Sequence, residues 1–276
     1  MKRNEAISRI FTYAALLLAA VLILFPVYWM IATSLKLPRD LLRTPSLWPH
    51  VFTLNNYRIL LEDKGFLVAI RNSVVVSSAV TAISLVISSL AAYSMTRFRT
   101  RFRSVIGRFI LFAYLTPTSL LFIPLSIVMA QLGLGNSLVG LILVYLTFSL
   151  PLSTWLLQSY FRGVPRELEE QGTIDGLTRL GALFRIVLPL SLPGLAAVAV
   201  FTFTGAWNEL LLAMVLITSD SQRTAPLALS YLITSDTLPW GPLMAGAVLS
   251  SLPPMVLFFV AQRFMVQGMT AGSVKG

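Results

Sequence analysis

Cysteine is missing from all 276 residues, so the chain offers neither a disulfide nor a thiolate, and no redox compartment can be read from it. Histidine is almost missing as well: His50, beside Pro49, is the only one. An HExxH metal site needs two histidines and is excluded. A lone loop histidine is more commonly a surface residue than a catalytic base. The lysines Lys2, Lys36, Lys64 and Lys275 follow Met, Leu, Asp and Val. The Gly-Lys pair of a phosphate-cradling loop is therefore absent, and the chain cannot hold ATP in that way. Energised work would need the nucleotide on a partner.

Charge is scarce too. Only 12% of residues are charged while 56% are hydrophobic; soluble domains carry about 25% charged residues. Mean hydropathy is +0.80, which places the chain in lipid. Uncharged windows run through 10–35, 72–96, 109–161, 186–208 and 237–262. The third is long enough for two helices of about 20 residues and a turn, and the turn is visible at Gln131-Leu-Gly-Leu-Gly-Asn-Ser137. The alternating segments of about 10 residues that a membrane barrel requires are not present. The sequence thus predicts an all-α polytopic membrane protein with six transmembrane helices, at 10–31, 71–95, 107–130, 138–160, 190–217 and 242–263. The first apolar run is too long for a signal-peptide core and is expected to be an uncleaved anchor.

Two-thirds of the basic residues fall at the start (Lys2, Arg3, Arg9), in and beside RFRTRFR (Arg97, Arg99, Arg101, Arg103, Arg108), in the 162–189 loop (Arg162, Arg166, Arg179, Arg185) and in the tail (Arg263, Lys275). That bias puts both termini in the cytoplasm, with 1–9 and 264–276 as cytoplasmic ends and 32–70 as an outer loop. The net charge of +10 then reflects orientation and contact with membrane lipid, not nucleic acid. RFRTRFR reads as a juxtamembrane stop. Outer basic residues such as Arg39, Arg43 and Arg58 could steer an anion, although loop charges seldom act so specifically.

Glu209 is the only acidic residue deep in an apolar segment, within Ala206-Trp-Asn-Glu-Leu210. A charge there costs at least about 2.5 kcal/mol on insertion scales, so it should face protein or water. It fits a translocation path or gate; it equally fits a structural cap on a neighbouring helix or a broken backbone turn. Asn72 and Asn208 could line a polar path or act as helix glue. Prolines inside or at the ends of spans suit helices that bend.

The stretch Glu170–Pro193 is a charged, glycine-punctuated loop between apolar segments, and neither half can cross a bilayer. Pro165 suits a first helical position, Glu167, Glu169 and Glu170 suit the first turns, and Gly176 suits the left-handed exit. Thr178 can cap a second helix that runs to Leu188 before Pro189 stops it. Leu180, Leu183, Phe184 and Val187 share one face at helical spacing. An ordinary amphipathic surface helix would show the same spacing.

Glu170-x-x-x-x-Asp175-Gly176 followed by Ile186-x-Leu188-Pro189 resembles the "EAA" coupling loop of ABC importer permeases, whose pattern runs E-A-A-x-x-D-G-A and then I-x-L-P. This chain departs from it with Gln171 and Gly172 at alanine positions and Leu177 for the third alanine. Trp207-Asn208-Glu209 and the tail Ala261–Gly276 resemble the carbohydrate branch, specifically the maltose-type second permease subunit, and the likeness spans essentially the whole chain.

The resemblance implies a type I importer fold, with an ABC type-1 core at 71–263, in a bacterial or archaeal cytoplasmic (inner) membrane. It implies that Glu170, Gln171, Gly172, Asp175, Gly176, Leu188 and Pro189 couple to a cytoplasmic ATPase, and that Gln267, Gly268, Thr270, Gly272 and Lys275 reach the interface of two such ATPases. Trp207, Asn208, Glu209 and Asn72 become candidates for the path or gate. It further implies a second homologous permease, two ATPase copies, and an extracytoplasmic solute-binding protein. No cofactor is expected on this chain; ATP and Mg belong to the partner ATPase. The expected work is ATP-driven import of a sugar or sugar-like solute by alternating access, with glycerol phosphate or another polyol derivative as alternative cargo. Two rivals remain: a polytopic membrane enzyme, for which the only acidic cluster is in the loop, and a non-transporting scaffold or exporter permease, which would not ordinarily carry this loop.

Overall fold

The computed structural model describes residues 2–41, 46–63, 65–98, 103–233 and 238–272, with C-terminal side chains described as far as Met265. Its main helices are α1 (Lys2–Ser34), α2 (Phe66–Arg97), α3 (Arg103–Leu115), α4 (Phe122–Gln131), α5 (Leu138–Arg162), α6 (Arg166–Ile174), α7 (Arg179–Ala182), α8 (Leu192–Asn208), α9 (Leu211–Leu216), α10 (Ala225–Leu232) and α11 (Trp240–Gly272). Among the described residues there is no strand. Among the described residues four helices are long and apolar enough to cross a membrane, at Phe11–Ser34, Phe66–Arg97, Leu138–Arg162 and Trp240–Met265.

The other two expected spans are not continuous helices. The one expected at 107–130 bends by 91° between Ser104–Leu115 and Thr118–Gln131. Pro117 has extended geometry (φ −60°, ψ 125°) at this bend; a proline disfavours helix in the residue before it and supplies no N–H to continue one. The span expected at 190–217 divides at Glu209, which is extended (φ −70°, ψ 121°) between α8 and α9.

The chain forms two compact units, residues 1–67 with 229–251 and residues 68–228 with 252–276. In the first, the side-chain amide of Asn56 is buried and donates to Ser34 O and Lys36 O, both at 2.8 Å. Gly241 passes so close that a Cβ there would strike the Asn56 side chain. Lys36, an outer basic residue by sequence, is buried. Its Nζ donates to Ser46 O (2.5 Å) and lies 4.5 Å from the Trp29 ring centre. Burial pulls its ammonium below the usual lysine range, with the Asp40 carboxylate opposing. Most of α1 is exposed apolar surface, including Leu17 and Ile23, which lipid or another protein must cover.

The second unit has two cores. Val76, Val80, Leu141, Tyr145, Leu212 and Ile217 belong to one; Ala92, Leu157, Phe161, Leu183 and Val187 belong to the other. They lie towards opposite ends of α2 and α5, so this unit carries a separate packed anchor at each end.

Candidate functional sites

The first site is the loop 166–190. Its opening helix, α6, ends in a paired hydrogen-bond exit: Leu177 N donates to Gly172 O (2.8 Å) and Gly176 N to Thr173 O (3.1 Å). Gly176 takes φ +86°, the left-handed value this exit demands. A Cβ on Gly172 would lie 2.7 Å from Ile186 Cδ1 and 3.0 Å from Leu177 Cδ1. Two of the three departures from the alanine pattern are thus neighbours: Leu177, together with Ile186, closes over the space a side chain at 172 would need.

The second arm begins as expected, with Thr178 Oγ1 accepting from Gly181 N at 3.1 Å. It does not stop at Pro189. After α7 the backbone widens into a π-helical turn over Leu183–Val187, and Leu188–Leu190 continues it. An α-helical Pro189 would crowd the carbonyl four residues earlier; the wider turn relieves that. The direction changes instead at Ser191, by 80°. Leu180 and Phe184 are not on the packed face. Leu183 and Val187 are fully buried, whereas Leu180 and Phe184 are 58% and 61% exposed.

What fastens the loop was not evident from the sequence. Arg97 Nε lies 2.5 Å from Glu169 Oε1, with both side chains near 10% exposed. Tyr93 Oη donates to Glu169 Oε2 at 2.9 Å. Arg97 also donates to Val164 O (3.0 Å), and Arg166 to Thr96 O (2.8 Å). The only hint lay in Arg97, a basic residue just past the end of the apolar span expected at 71–95. Glu170, Gln171, Asp175, Gly176 and Pro189 stay exposed, Leu188 is half-buried and Gly172 is buried. Exposed Ile174, Leu180 and Phe184 add apolar surface. The result is a knob fastened at its base, with exposed charges of both signs and an exposed apolar surface at Ile174, Leu180 and Phe184.

The second site is a cavity of about 300 Å³ beside the middle of α5. Tyr114, Thr118, Tyr145, Ser149, Thr202 and Glu209 lie on its wall. Glu209 accepts from Leu212 N at 3.0 and 3.1 Å, from Ala213 N at 3.2 Å and from Tyr145 Oη at 2.9 Å. It therefore caps the helix that restarts after the break, and it also faces the cavity. Of the alternatives left open by the sequence, the cap is seen directly, and the same carboxylate lies on a cavity wall.

The other path candidates lie elsewhere. Trp207 is 2% exposed and stacks on Phe203 at 5.7 Å, a core position. Asn208 is the exposed last residue of α8 and does not line the cavity. Asn72 Nδ2 donates to Ser221 O and Arg223 O, both at 2.9 Å, so it fastens the segment after α9. Asn136 Oδ1 joins in by accepting from Thr218 N, Ser219 N and Ser219 Oγ at 3.0 Å. Of the tail candidates, Gln267, Gly268, Thr270 and Gly272 fall in the last turns of α11, where only the backbone is described, and Lys275 lies outside the described residues.

Against known proteins, residues 84–271 match the family model described as "Binding-protein-dependent transport system inner membrane component". The chain is 38% identical, over 92% of its own length and 89% of that protein, to the sulfoquinovosyl glycerol transport system permease protein SmoH of Agrobacterium fabrum. It is 35% identical, over 99% of both chains, to the trehalose/maltose transport system permease protein MalG of Thermococcus litoralis. Its fold matches a chain in the crystal structure of a bacterial ABC transporter involved in the import of the acidic polysaccharide alginate, with TM-score 0.79, 22% identity, and coverage of 95% of this chain and 97% of that one.

Proposed function

We propose, since this chain belongs to the family of binding-protein-dependent transport system inner membrane components, that its knob at 166–190 is the mechanical input of an ATP-driven sugar importer and its cavity part of the solute path. The chain is a multi-pass membrane permease subunit and a transport component, not itself an enzyme. Trehalose and maltose, named for one relative, set the expected cargo class: a sugar or sugar-like solute.

The observation that carries this reading is the combination of fixed base and free tip. Arg97, Tyr93 and Glu169 lock α6 to the end of α2, so a force on the tip reaches a membrane span without dissipating in the loop. Glu170, Asp175 and Gly176 stay exposed for a partner. That partner is a cytoplasmic ATPase holding ATP and Mg, present in two copies, with a second homologous permease beside this chain and a binding protein on the outer side. Closure of the ATPases on ATP moves the docked knobs as rigid bodies and opens the cavity outward; hydrolysis resets it. Both termini face the cytoplasm, by the distribution of arginine and lysine.

Replacing Gly176 with Val tests the coupling. A β-branched residue is strained at φ +86°, so ATP hydrolysis should persist while uptake into proteoliposomes falls at least roughly tenfold. Unchanged uptake at normal expression would overturn the assignment. Because the chain has no cysteine, a single cysteine at Asp175 also reports sidedness cleanly. It should label only from the cytoplasmic face and crosslink to the ATPase.

A further inference from the structure

The cavity beside α5 says something about the cargo, granted that this chain is an importer permease. We propose that the cavity is a solute subsite for an uncharged, polyhydroxylated ring, and that its wall rejects anions.

Two kinds of surface meet there. Tyr114, Phe148 and Phe201 offer aromatic faces, which suit the C–H faces of a sugar ring. Glu209 and Thr118 offer oxygen acceptors and a hydroxyl within the same space. The volume of about 300 Å³ falls at the small end of ligand pockets and fits one ring unit better than an extended chain.

The charge pattern then narrows the ligand. Among the described residues lining the cavity, Glu209 is the only charged one, and no arginine, lysine or histidine joins it. A phosphate, sulfonate or uronate would enter a low-dielectric space beside a carboxylate with no counter-charge. Nor can that carboxylate turn aside, since Leu212 N, Ala213 N and Tyr145 Oη hold it. The same N–H groups, at the start of α9, already counter its charge. A cationic solute is therefore not needed to complete the site. This sets the chain apart from relatives whose names include a sulfonated sugar and disfavours glycerol phosphate as cargo.

The test uses the assembled importer in nanodiscs, with trehalose and trehalose 6-phosphate as probes and saturation-transfer NMR as the readout. Trehalose should bind at least on the order of tenfold more tightly than its phosphate, since no cationic side chain lines the cavity to receive the phosphate beside Glu209. Glu209→Gln should narrow that ratio. Because it also alters a helix cap, Thr118→Lys serves as the second variant: residue 118 is exposed and outside the cap, and the new cation should reverse the preference. Equal or tighter binding of the phosphate by the unsubstituted importer would overturn the proposal. So would tighter binding of choline, a cationic probe, or no binding of either sugar. ATP-driven uptake measured on the same preparation separates the two layers. Uptake with the wrong charge preference sinks only the subsite, whereas an ATPase that neither associates nor drives uptake of any solute sinks the importer reading itself.

Discussion

At the loop end of the 68–228 unit, Arg97, Glu169 and Arg166 join helix to loop through charge. At the other end of α2, Asn72 and Ser73 do so with neutral groups, and Asn136 adds a third fastening from the turn before α5: an amide reaches two carbonyls, Ser73 Oγ accepts from Ala225 N at 2.7 Å, and one amide oxygen takes three donors. The first end must transmit motion to another protein, and an ion pair resists a pull because separating buried charges is costly. The second end holds an irregular segment whose backbone groups would otherwise lack partners, and short amides suit that task. The two ends therefore differ in what failure costs.

Arg97→Ala should produce the largest loss, about 3–5 kcal/mol, because Glu169 is left nearly buried without its counter-charge. Thermal melting of the purified complex measures it, and the double variant Arg97→Ala with Glu169→Ala should recover part of the loss. If Asn72→Ala melts lower than Arg97→Ala, the contrast between the ends is wrong. Asn72→Ala and Asn136→Gly should each cost about 1–3 kcal/mol by leaving backbone groups unpaired. Glycine at 136 keeps the left-handed backbone (φ +51°) while removing the acceptor, so that variant isolates the hydrogen bonds. The smallest effect belongs to Gly172→Ala. Better helix propensity would favour alanine by about 1 kcal/mol, yet its methyl meets Ile186 and Leu177. A net loss near 1 kcal/mol, removed when Leu177→Ala is added, would confirm that the two departures compensate; additive effects would refute it.

Much of the molecule was legible in the chain because lipid imposes a coarse rule: long uncharged runs become helices. Among the described residues four long helices follow that rule, and the Gln131–Ser137 turn separates α4 from α5 where its glycines lie. The exit of α6 at Gly176 was also readable, since few residues adopt its conformation. Illegible were features that depend on partners distant in sequence. Glu169 looked like a helix-dipole residue until Arg97 and Tyr93 met it from 72 and 76 residues away. Leu180 and Phe184 matched Leu183 and Val187 on an ideal wheel, but a π-helical turn rotated the pairs apart.

Composition and spacing alone determined the solvent, the helical class and the exit of α6 at Gly176, because hydropathy and backbone stereochemistry act locally. Folding decided the rest: Pro117 became a right-angle bend, Trp207 packed into the core, Asn72 fastened a loop, and Glu209 became a cap and a cavity wall at once. Those outcomes depend on which side chains lie within about 3 Å of one another, a relation that only packed helices create.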